Sequence, residues 1–141
     1  MDFQPSLGVM RDTGTAKGRG MFAPRPIAAG EVVEVCPVLI LPGSGRDLPL
    51  ELRRVLFNWT SLARTMESTA IALGHGGIYN HANPANMSYE GVPELPALRY
   101  TAARAIRPGE ELTINYNARG GGTESDDDRW FRAAEVTPWV G

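Results

Sequence analysis

Residues 17–20 (KGRG) are the first group in the sequence that could bind a small molecule. A glycine on each side of one residue lets the backbone approach a ligand closely, and the glycine N–H groups can then bind an anion such as a carboxylate. The same pattern is more common in ordinary turns, so both interpretations stay open on these residues alone. Ala23 stands where a third glycine would complete a dinucleotide-binding pattern, and no helical pattern follows. A Rossmann-type nucleotide site is therefore not predicted.

Residues 79–86 (YNHANPAN) form a second, strongly polar group. Such side chains are typical of loops that bind their own backbone, and on these eight residues alone a structural loop is the favoured interpretation. The alternative is a loop that presents amide and imidazole groups to a ligand. A metal site formed by Cys36, His75 and His81 is not favoured, because their spacing matches no common zinc pattern.

Residues 109–117 (GEELTINYN) form the third group, which ends close to a tyrosine. A period of two places Leu112, Ile114 and Tyr116 on one face of a strand. Tyr116 can be a core aromatic residue, which is the usual place for such a side chain. It can instead point its hydroxyl into a cleft, as a hydrogen-bond partner or a general acid or base. The pattern alone leaves both alternatives open.

Two similar segments, residues 23–33 and 102–112, must help to position these groups. Both follow the frame Ala-x-Arg-x-Ile-x-x-Gly-Glu-x-apolar. In each copy a short apolar strand runs into a turn at the glycine, and a new strand follows. Residues 32–35 and 112–116 carry the β-branched and aromatic side chains typical of strands. The repeat therefore predicts a fold of several small sheets with little helix.

The sequence between the two copies predicts one helix and two strands. Asp47 and Pro49 are typical of a helix start, and the apolar residues that follow predict a helix as far as about Phe57. Residues 57–60 and 69–73 are rich in β-branched, aromatic and apolar side chains and are predicted strands.

The C-terminal part of the sequence changes composition. Residues 120–128 are rich in glycine and acidic side chains and are predicted to form a solvated link. An alternative function for their acidic part, residues 124–128, is to attract a basic substrate. Trp130 and Phe131 then begin an apolar terminal segment that must dock elsewhere on the domain.

The composition is that of one soluble intracellular domain. A length of 141 residues, with 43 % hydrophobic side chains, is enough for one core. Cys36 is the only cysteine, which excludes an intramolecular disulfide and a thiolate zinc cluster. A net charge of −2 argues against general nucleic-acid binding. No apolar run approaches the roughly 18 residues of a membrane span and no signal peptide is evident, so we expect a cytoplasmic protein without membrane contact.

The order and spacing of the three groups resemble the SET-domain family of protein lysine methyltransferases. The resemblance covers roughly residues 8–118 and is carried by residues 15–34, 71–89 and 100–117. It implies a mainly β fold of the β-clip type, with several small sheets, a short helix and a threaded, knot-like C-terminal segment. One departure lies in the polar loop, where Ala and Asn follow the Asn-His pair in place of the family's common Ser and Cys.

The resemblance also implies how the chain is organised. Residues 1–141 would be a single SET domain, with a core of about 8–118 and a C-terminal segment, 119–141, that helps to close the active site. The chain lacks the cysteine-rich flanks that bind zinc in larger members, so no metal is expected. The aromatic residues proposed to close the lysine channel or to stack on adenine are Trp130, Phe131 and Trp139.

The resemblance further implies transfer of a methyl group from S-adenosylmethionine to a lysine of another protein. The Gly-x-Gly backbone would hold the methionine end of the cofactor. The Asn-His pair would lie beside adenine, and the strand-end tyrosine would lie where the lysine channel meets the methyl donor. The cofactor-binding residues are then Lys17, Gly18, Arg19, Gly20, Asn80, His81 and Tyr116, and Tyr116 is also the catalytic residue. A second channel tyrosine is usual, and the candidates are Tyr79, Tyr89 and Tyr100.

The main alternative to an enzyme is a non-catalytic module of the β-clip type that binds a small molecule or a peptide. Such a module need not keep the Asn-His pair and the terminal tyrosine together, and this sequence has both. The expected partner is a protein substrate with a target lysine, with no direct binding to nucleic acid or membrane. A homodimer is a further expectation, because small members of the family lack flanking domains that complete the channel.

Overall fold

The computed structural model describes residues 1–60 and 66–125, and in this part of the chain the protein is mostly β-structure. A short helix, α1 (Leu50–Arg53), and a 3-10 turn (His75–Gly77) accompany nine strands there, and Trp59 and Thr60 are also helical. The strands are β1 (Val9–Asp12), β2 (Arg19–Phe22), β3 (Val32–Pro42), β4 (Leu56–Asn58), β5 (Ser68–Ala72), β6 (Asn80–His81), β7 (Met87–Val92), β8 (Ala97–Ala102) and β9 (Glu111–Ile114). The predicted mainly β class with a short helix is confirmed.

The strands form two sheets with the orders β1-β2-β9-β6 and β4-β5-β3-β8-β7. The long strand β3 is the centre of the five-stranded sheet, because its first half pairs with β8 and its second half with β5. In the four-stranded sheet β6 runs parallel to β9, whereas the other described pairs are antiparallel. The prediction of several small sheets agrees with this arrangement.

The repeat seen in the sequence becomes a pair of facing corners. The Ile27 N–H donates to the Ile106 carbonyl at 2.9 Å, and the Ile106 N–H donates back to Ile27 at 2.8 Å. Both isoleucines are buried. Equivalent ion pairs, Arg25–Glu31 and Arg104–Glu110, brace the two corners. Each corner donates to the other the backbone bond that it also accepts, and each has an equivalent ion pair. The two corners are therefore related by an approximate two-fold axis.

The hydrophobic core lies beneath both sheets and joins them. Alternate side chains of the strands point inward, as the period of a pleated strand requires. Its fully buried members include Met21, Ile27, Val33, Met87, Leu98, Tyr100, Ile106, Leu112 and Ile114. Burial of this apolar surface is the main stabilising contribution to the fold.

The helix predicted as far as Phe57 is shorter than expected. It ends at Arg53, and Leu56 and Phe57 instead pair with Ile71 and Ala70 as strand β4. None of the residues of α1 is buried, so its apolar side chains gain no core packing that would extend the helix. Pairing with β5 is the more favourable alternative for the residues that follow.

Strand boundaries also differ from the prediction. The predicted strand over residues 57–60 begins one residue earlier and ends at Asn58, and the one over residues 69–73 ends at Ala72, leaving Leu73 exposed. The strand predicted to start at Val32 continues to Pro42, because two neighbouring strands offer it backbone partners along its whole length.

The C-terminal part of the described chain returns along residues 82–89. The Tyr89 N–H donates to the Arg119 carbonyl at 2.9 Å, and the Gly122 N–H donates to Ala85 at 2.7 Å. A Cβ added at Gly121 would lie 2.3 Å from the Met87 carbonyl oxygen, so the two segments pass too closely for any other residue. The family resemblance predicts such a close passage for the threaded C-terminal segment.

The link predicted over residues 120–128 is only partly solvated. Residues 122–124 are exposed, but Asn83 and Ser125 exchange two hydrogen bonds of 2.7 and 2.9 Å that anchor the link at Ser125. The rest of the acidic run and the aromatic residues Trp130, Phe131 and Trp139 lie outside the described residues. No helix in the described ranges is long and apolar enough to cross a membrane.

Candidate functional site

The three polar groups of the sequence meet on the four-stranded sheet. Strand β9, from the third group, lies between β2, which carries Arg19 and Gly20, and β6, which consists of Asn80 and His81. Met21 pairs with Leu112 on one side of β9, and Asn80 pairs with Thr113 on the other. Residues that are far apart in the sequence are therefore held side by side by backbone pairing.

The Asn80 side chain connects all three groups directly. Its Nδ2 donates to the Arg19 carbonyl at 2.9 Å and to the Glu111 Oε2 at 2.7 Å. The residue is buried, and both amide hydrogens are used by these two bonds. The Oδ1 accepts no hydrogen bond from the described residues and remains available as an acceptor for a ligand.

The two glycines of the first group each meet a local structural requirement. Gly18 has a φ of +76°, and its N–H donates to the Thr15 carbonyl at 3.0 Å, so this N–H is not free to bind an anion. A Cβ added at Gly20 would lie 2.5 Å from the Glu111 Oε2 and 3.0 Å from the Asn80 Nδ2. Gly18 is thus required by the turn, and Gly20 by the close packing of the Asn80–Glu111 pair.

His81 and Tyr116 form the other half of the site. The Tyr116 backbone N–H donates to the His81 Nδ1 at 3.1 Å, so the proton of the neutral imidazole is on Nε2. The two rings are 5.3 Å apart between centroids. Burial, together with the nearby charge of Lys17, lowers the pKa of His81 to about 4. The imidazole is therefore neutral at physiological pH, and Lys17 lies close to it.

Tyr116 lies just beyond the strand on which the sequence pattern placed it. Strand β9 ends at Ile114, and Asn115 forms an isolated bridge with Ala118, so Tyr116 lies in the turn between them. The Tyr116 hydroxyl donates to the Tyr79 carbonyl at 2.9 Å. Burial, with a smaller effect of the Glu111 carboxylate, raises the pKa of Tyr116 above its usual value. The phenol is therefore a protonated donor at neutral pH rather than a base.

The three candidates for a second channel tyrosine have different surroundings. The Tyr79 hydroxyl donates to Glu34 at 2.6 Å, and the Tyr100 hydroxyl, which is fully buried, donates to the Gly76 carbonyl at 3.4 Å. The Tyr89 hydroxyl donates to the carbonyl of Asn115 at 3.3 Å, next to Tyr116 in the chain. Tyr89 is thus the candidate whose hydroxyl lies beside the Tyr116 turn.

Asn86 is a residue of the polar loop whose importance the sequence did not reveal. It is buried, its Nδ2 donates to the Glu111 carbonyl at 2.8 Å, and its Oδ1 accepts from the Thr113 N–H at 2.9 Å. These bonds fasten the loop to β9 beside Asn80. The only signal in the sequence was the density of amide side chains in the loop.

We expect Asn86→Ala to lower the free energy of unfolding by about 3 kcal/mol, because it leaves a buried carbonyl and a buried N–H without partners. Urea denaturation of the variant measures this loss. Asn83→Ala is the matched control, since Asn83 lies in the same loop but is exposed. Equal losses at the two positions would show that the Asn86 bonds have no special weight.

Cys36 and His75 do not form a metal site with His81. The Cys36 thiol is fully buried and accepts a hydrogen bond from the Gly74 N–H at 3.1 Å. Burial, reinforced by the nearby Glu34 carboxylate, raises the pKa of Cys36 to about 11. Within the described ranges no group of three or more His, Cys, Asp or Glu side chains could hold a metal ion.

Known structures share this fold. A crystal structure of a Plasmodium falciparum protein described as a candidate histone methyltransferase has a TM-score of 0.62 and 20 % identity, with 80 % of this chain and 94 % of that chain covered. A mutant Polycomb Repressive Complex 2 of Chaetomium thermophilum has a TM-score of 0.65 and 21 % identity over 92 % of this chain. The match covers only 16 % of the matched chain of that complex, so it corresponds to one part of a much larger protein.

Sequence comparisons agree with the structural ones. The SET domain family matches residues 18–117, which include all three polar groups except Lys17. The histone-lysine N-methyltransferase of Schizosaccharomyces pombe that is specific for H3 lysine 37 is 31 % identical over 134 residues, which cover 92 % of this chain and 83 % of that protein. These relationships argue against the non-catalytic module. The chain belongs to the SET-domain family of protein-lysine methyltransferases.

Proposed function

We propose that the protein binds S-adenosylmethionine where β2, β6 and β9 meet and methylates a lysine side chain of a protein substrate. The observation that supports this site is the bond from Asn80 to Arg19 and Glu111, which joins the three groups of the family pattern. The proposed cofactor-binding residues are Lys17, Arg19, Gly20, Asn80, His81 and Tyr116, and Gly18 shapes the turn that presents Lys17 and Arg19.

The residues at this site fit the chemistry of that cofactor. Its methionine end carries an ammonium group, which needs acceptors, and a carboxylate, which needs donors or a cation. The Asn80 Oδ1 is an acceptor held in place by the two bonds of its own amide, and Lys17 supplies a positive charge nearby. A neutral His81 adds no competing charge beside the ligand. The donor set therefore suits a zwitterionic ligand.

The catalytic requirement is a neutral lysine amine aligned with the methyl donor. When bound, the cofactor supplies a methyl group on a cationic sulfur, which is transferred by in-line displacement. Loss of the lysine proton costs roughly 4 kcal/mol at neutral pH. Tyr116 cannot take this proton because its phenol is itself protonated. We propose that Tyr116 orients the reacting groups, with its hydroxyl fixed by the Tyr79 carbonyl, and that the proton leaves to solvent.

We further propose Tyr89 as the second channel tyrosine. The hydroxyls of Tyr79 and Tyr100 are bound to Glu34 and Gly76 in the interior, whereas that of Tyr89 binds the carbonyl next to Tyr116. The Tyr89 ring also packs edge-on against Phe57 at 5.7 Å between centroids, which fixes its direction.

The pH dependence of the reaction tests the protonation states of the site. We expect kcat/KM to rise about tenfold per pH unit between roughly pH 6.5 and 9, because the neutral fraction of a lysine with a pKa of about 10.4 rises in that way. His81, with a pKa lowered to about 4, stays neutral over this range, and Tyr116, with a raised pKa, stays protonated.

Cofactor affinity, measured by calorimetry over the same range, is the control and should not show a transition near pH 6.5. A break in kcat/KM near pH 6.5 would contradict the low pKa of His81. Protein stability gives a second test of the His81 pKa. Because this pKa is lower in the folded protein than in the unfolded chain, the folded state should lose stability as the pH falls from about 6.5 toward 4.

The substrate is best sought by direct labelling. We would incubate the protein with labelled S-adenosylmethionine and either whole-cell proteins or purified histone H3, the substrate named for the yeast relative. Labelling of discrete bands by the wild type supports a protein methyltransferase, and mass spectrometry then identifies the lysine. Absence of both labelling and cofactor binding would overturn the proposal. A cytoplasmic location and a homodimer stay predictions.

A further inference from the structure

A buried carboxylate that no sequence motif marks lies behind the site. Glu34, on β3, is only 2 % exposed. Its Oε1 accepts a hydrogen bond from the Tyr79 hydroxyl at 2.6 Å, and its Oε2 accepts from the His75 N–H at 3.0 Å. Glu34 forms no ion pair within the described part of the chain. Removing a carboxylate from water without a cation is costly, so its hydrogen bonds must compensate.

The surrounding loop closes tightly on this carboxylate. A Cβ added at Gly74 would lie 2.5 Å from the Glu34 Oε2 and 3.0 Å from the Cys36 Sγ. The Tyr79 ring packs against Tyr100 at 4.8 Å between centroids. Glu34 and Tyr79 are thus closely packed by Gly74 and Tyr100, and a rigid contact of this kind can transmit position accurately.

Tyr79 links this carboxylate to the proposed catalytic residue. Its hydroxyl is bound by Glu34, and its backbone carbonyl accepts the hydrogen bond of the Tyr116 hydroxyl at 2.9 Å. We propose that Glu34 is a positioning residue for methyl transfer, which acts through Tyr79 on the Tyr116 hydroxyl. This inference rests on the proposed role of Tyr116.

The chemistry of the link explains why a carboxylate is present. A phenol bound to a carboxylate forms a short, charge-assisted hydrogen bond that is stronger than one between neutral groups. Burial and the Glu34 charge raise the pKa of Tyr79, so its proton stays on the phenol and the bond keeps one direction. A displacement of about 1 Å at a reacting group can cost a hundredfold in rate, so a rigid anchor at this point affects catalysis.

The test is a double-mutant cycle on single-turnover rates with labelled S-adenosylmethionine. Glu34→Gln and Tyr79→Phe should each lower the rate about tenfold in the wild-type background. In the Tyr116→Phe background, Glu34→Gln or Tyr79→Phe should lower the single-turnover rate by less than about a further twofold. The Tyr116 hydroxyl that Glu34 and Tyr79 position is already absent there. Thermal melting of each variant reports whether it is folded, and Glu34→Gln keeps the test available if Tyr79→Phe does not fold.

Tyr100→Phe is the matched control. It removes the hydroxyl of the neighbouring buried ring, which binds Gly76 and has no bond to Glu34 or Tyr116. Its rate should fall by less than about twofold in both backgrounds. If Glu34→Gln lowers the rate equally with and without the Tyr116 hydroxyl, Glu34 has a merely structural role. If Glu34→Gln does not lower the rate in the wild-type background, the inference is also overturned. Full activity of Tyr116→Phe alone would instead reject the proposed role of Tyr116.

Discussion

Replacing Tyr116 with phenylalanine is expected to lower kcat about a hundredfold, because loss of the group that orients the reactants can cost that much in rate. The change removes only the hydroxyl, which donates to the Tyr79 carbonyl. The backbone bond from Tyr116 to the His81 Nδ1 and the packing of the two rings remain. Cofactor affinity should therefore stay within about threefold of the wild-type value.

Rates under saturating cofactor and substrate, together with calorimetric titration of S-adenosylmethionine, separate the two effects. Melting temperature shows whether the variant is folded, and Tyr100→Phe controls for loss of a buried hydroxyl elsewhere. A kcat within about threefold of the wild type would show that the hydroxyl has no part in the reaction. A loss of cofactor affinity at unchanged kcat would make Tyr116 a ligand for the cofactor only.

Asn80→Asp should nearly abolish cofactor binding, with an affinity loss of at least about a hundredfold, and lower the free energy of unfolding by about 3 kcal/mol. The substitution keeps the shape of the side chain but replaces the amide that donates to Arg19 and Glu111 with a carboxylate. Two carboxylates would then face each other where a bond of 2.7 Å now joins Asn80 and Glu111. Calorimetry and urea denaturation measure the two losses.

Two further variants separate charge from shape. Asn83→Asp makes the same change at an exposed position of the same loop, where it removes one bond to Ser125, and should leave cofactor affinity unchanged and cost less stability than Asn80→Asp. Adding Glu111→Gln to Asn80→Asp removes the repulsion and should recover part of the stability. Wild-type affinity in Asn80→Asp would show that the cofactor does not use this part of the sheet.

The sequence alone led to the family and to the residues of the candidate site, because the three polar groups keep their order and spacing. It could not show how they meet. That depends on β9 lying between β2 and β6, which is a matter of pairing between strands far apart in the chain. It also could not show that the Gly18 N–H is used within its own turn.

Glu34 and Asn86 illustrate what a single sequence hides. From the sequence, Glu34 would be expected to face solvent from its strand. Only the packing of residues 74–79 over Glu34 shows that it is buried. Asn86 reads as one of several loop amides until its bonds to β9 are seen. The helix after Pro49 was overestimated for a related reason, since pairing with β5 outweighs local helical pattern.

The facing corners around Ile27 and Ile106 also govern when the domain can form. During synthesis the first corner emerges with its backbone groups open, and its only partner in the described structure is made much later. Contacts so distant along the chain close slowly, because the entropy of a long loop must be overcome first. A nascent or truncated chain that ends before Ile106 therefore exposes an unpaired strand edge, which is a site for aggregation. The two corners can therefore pair only after residue 106 has been synthesised.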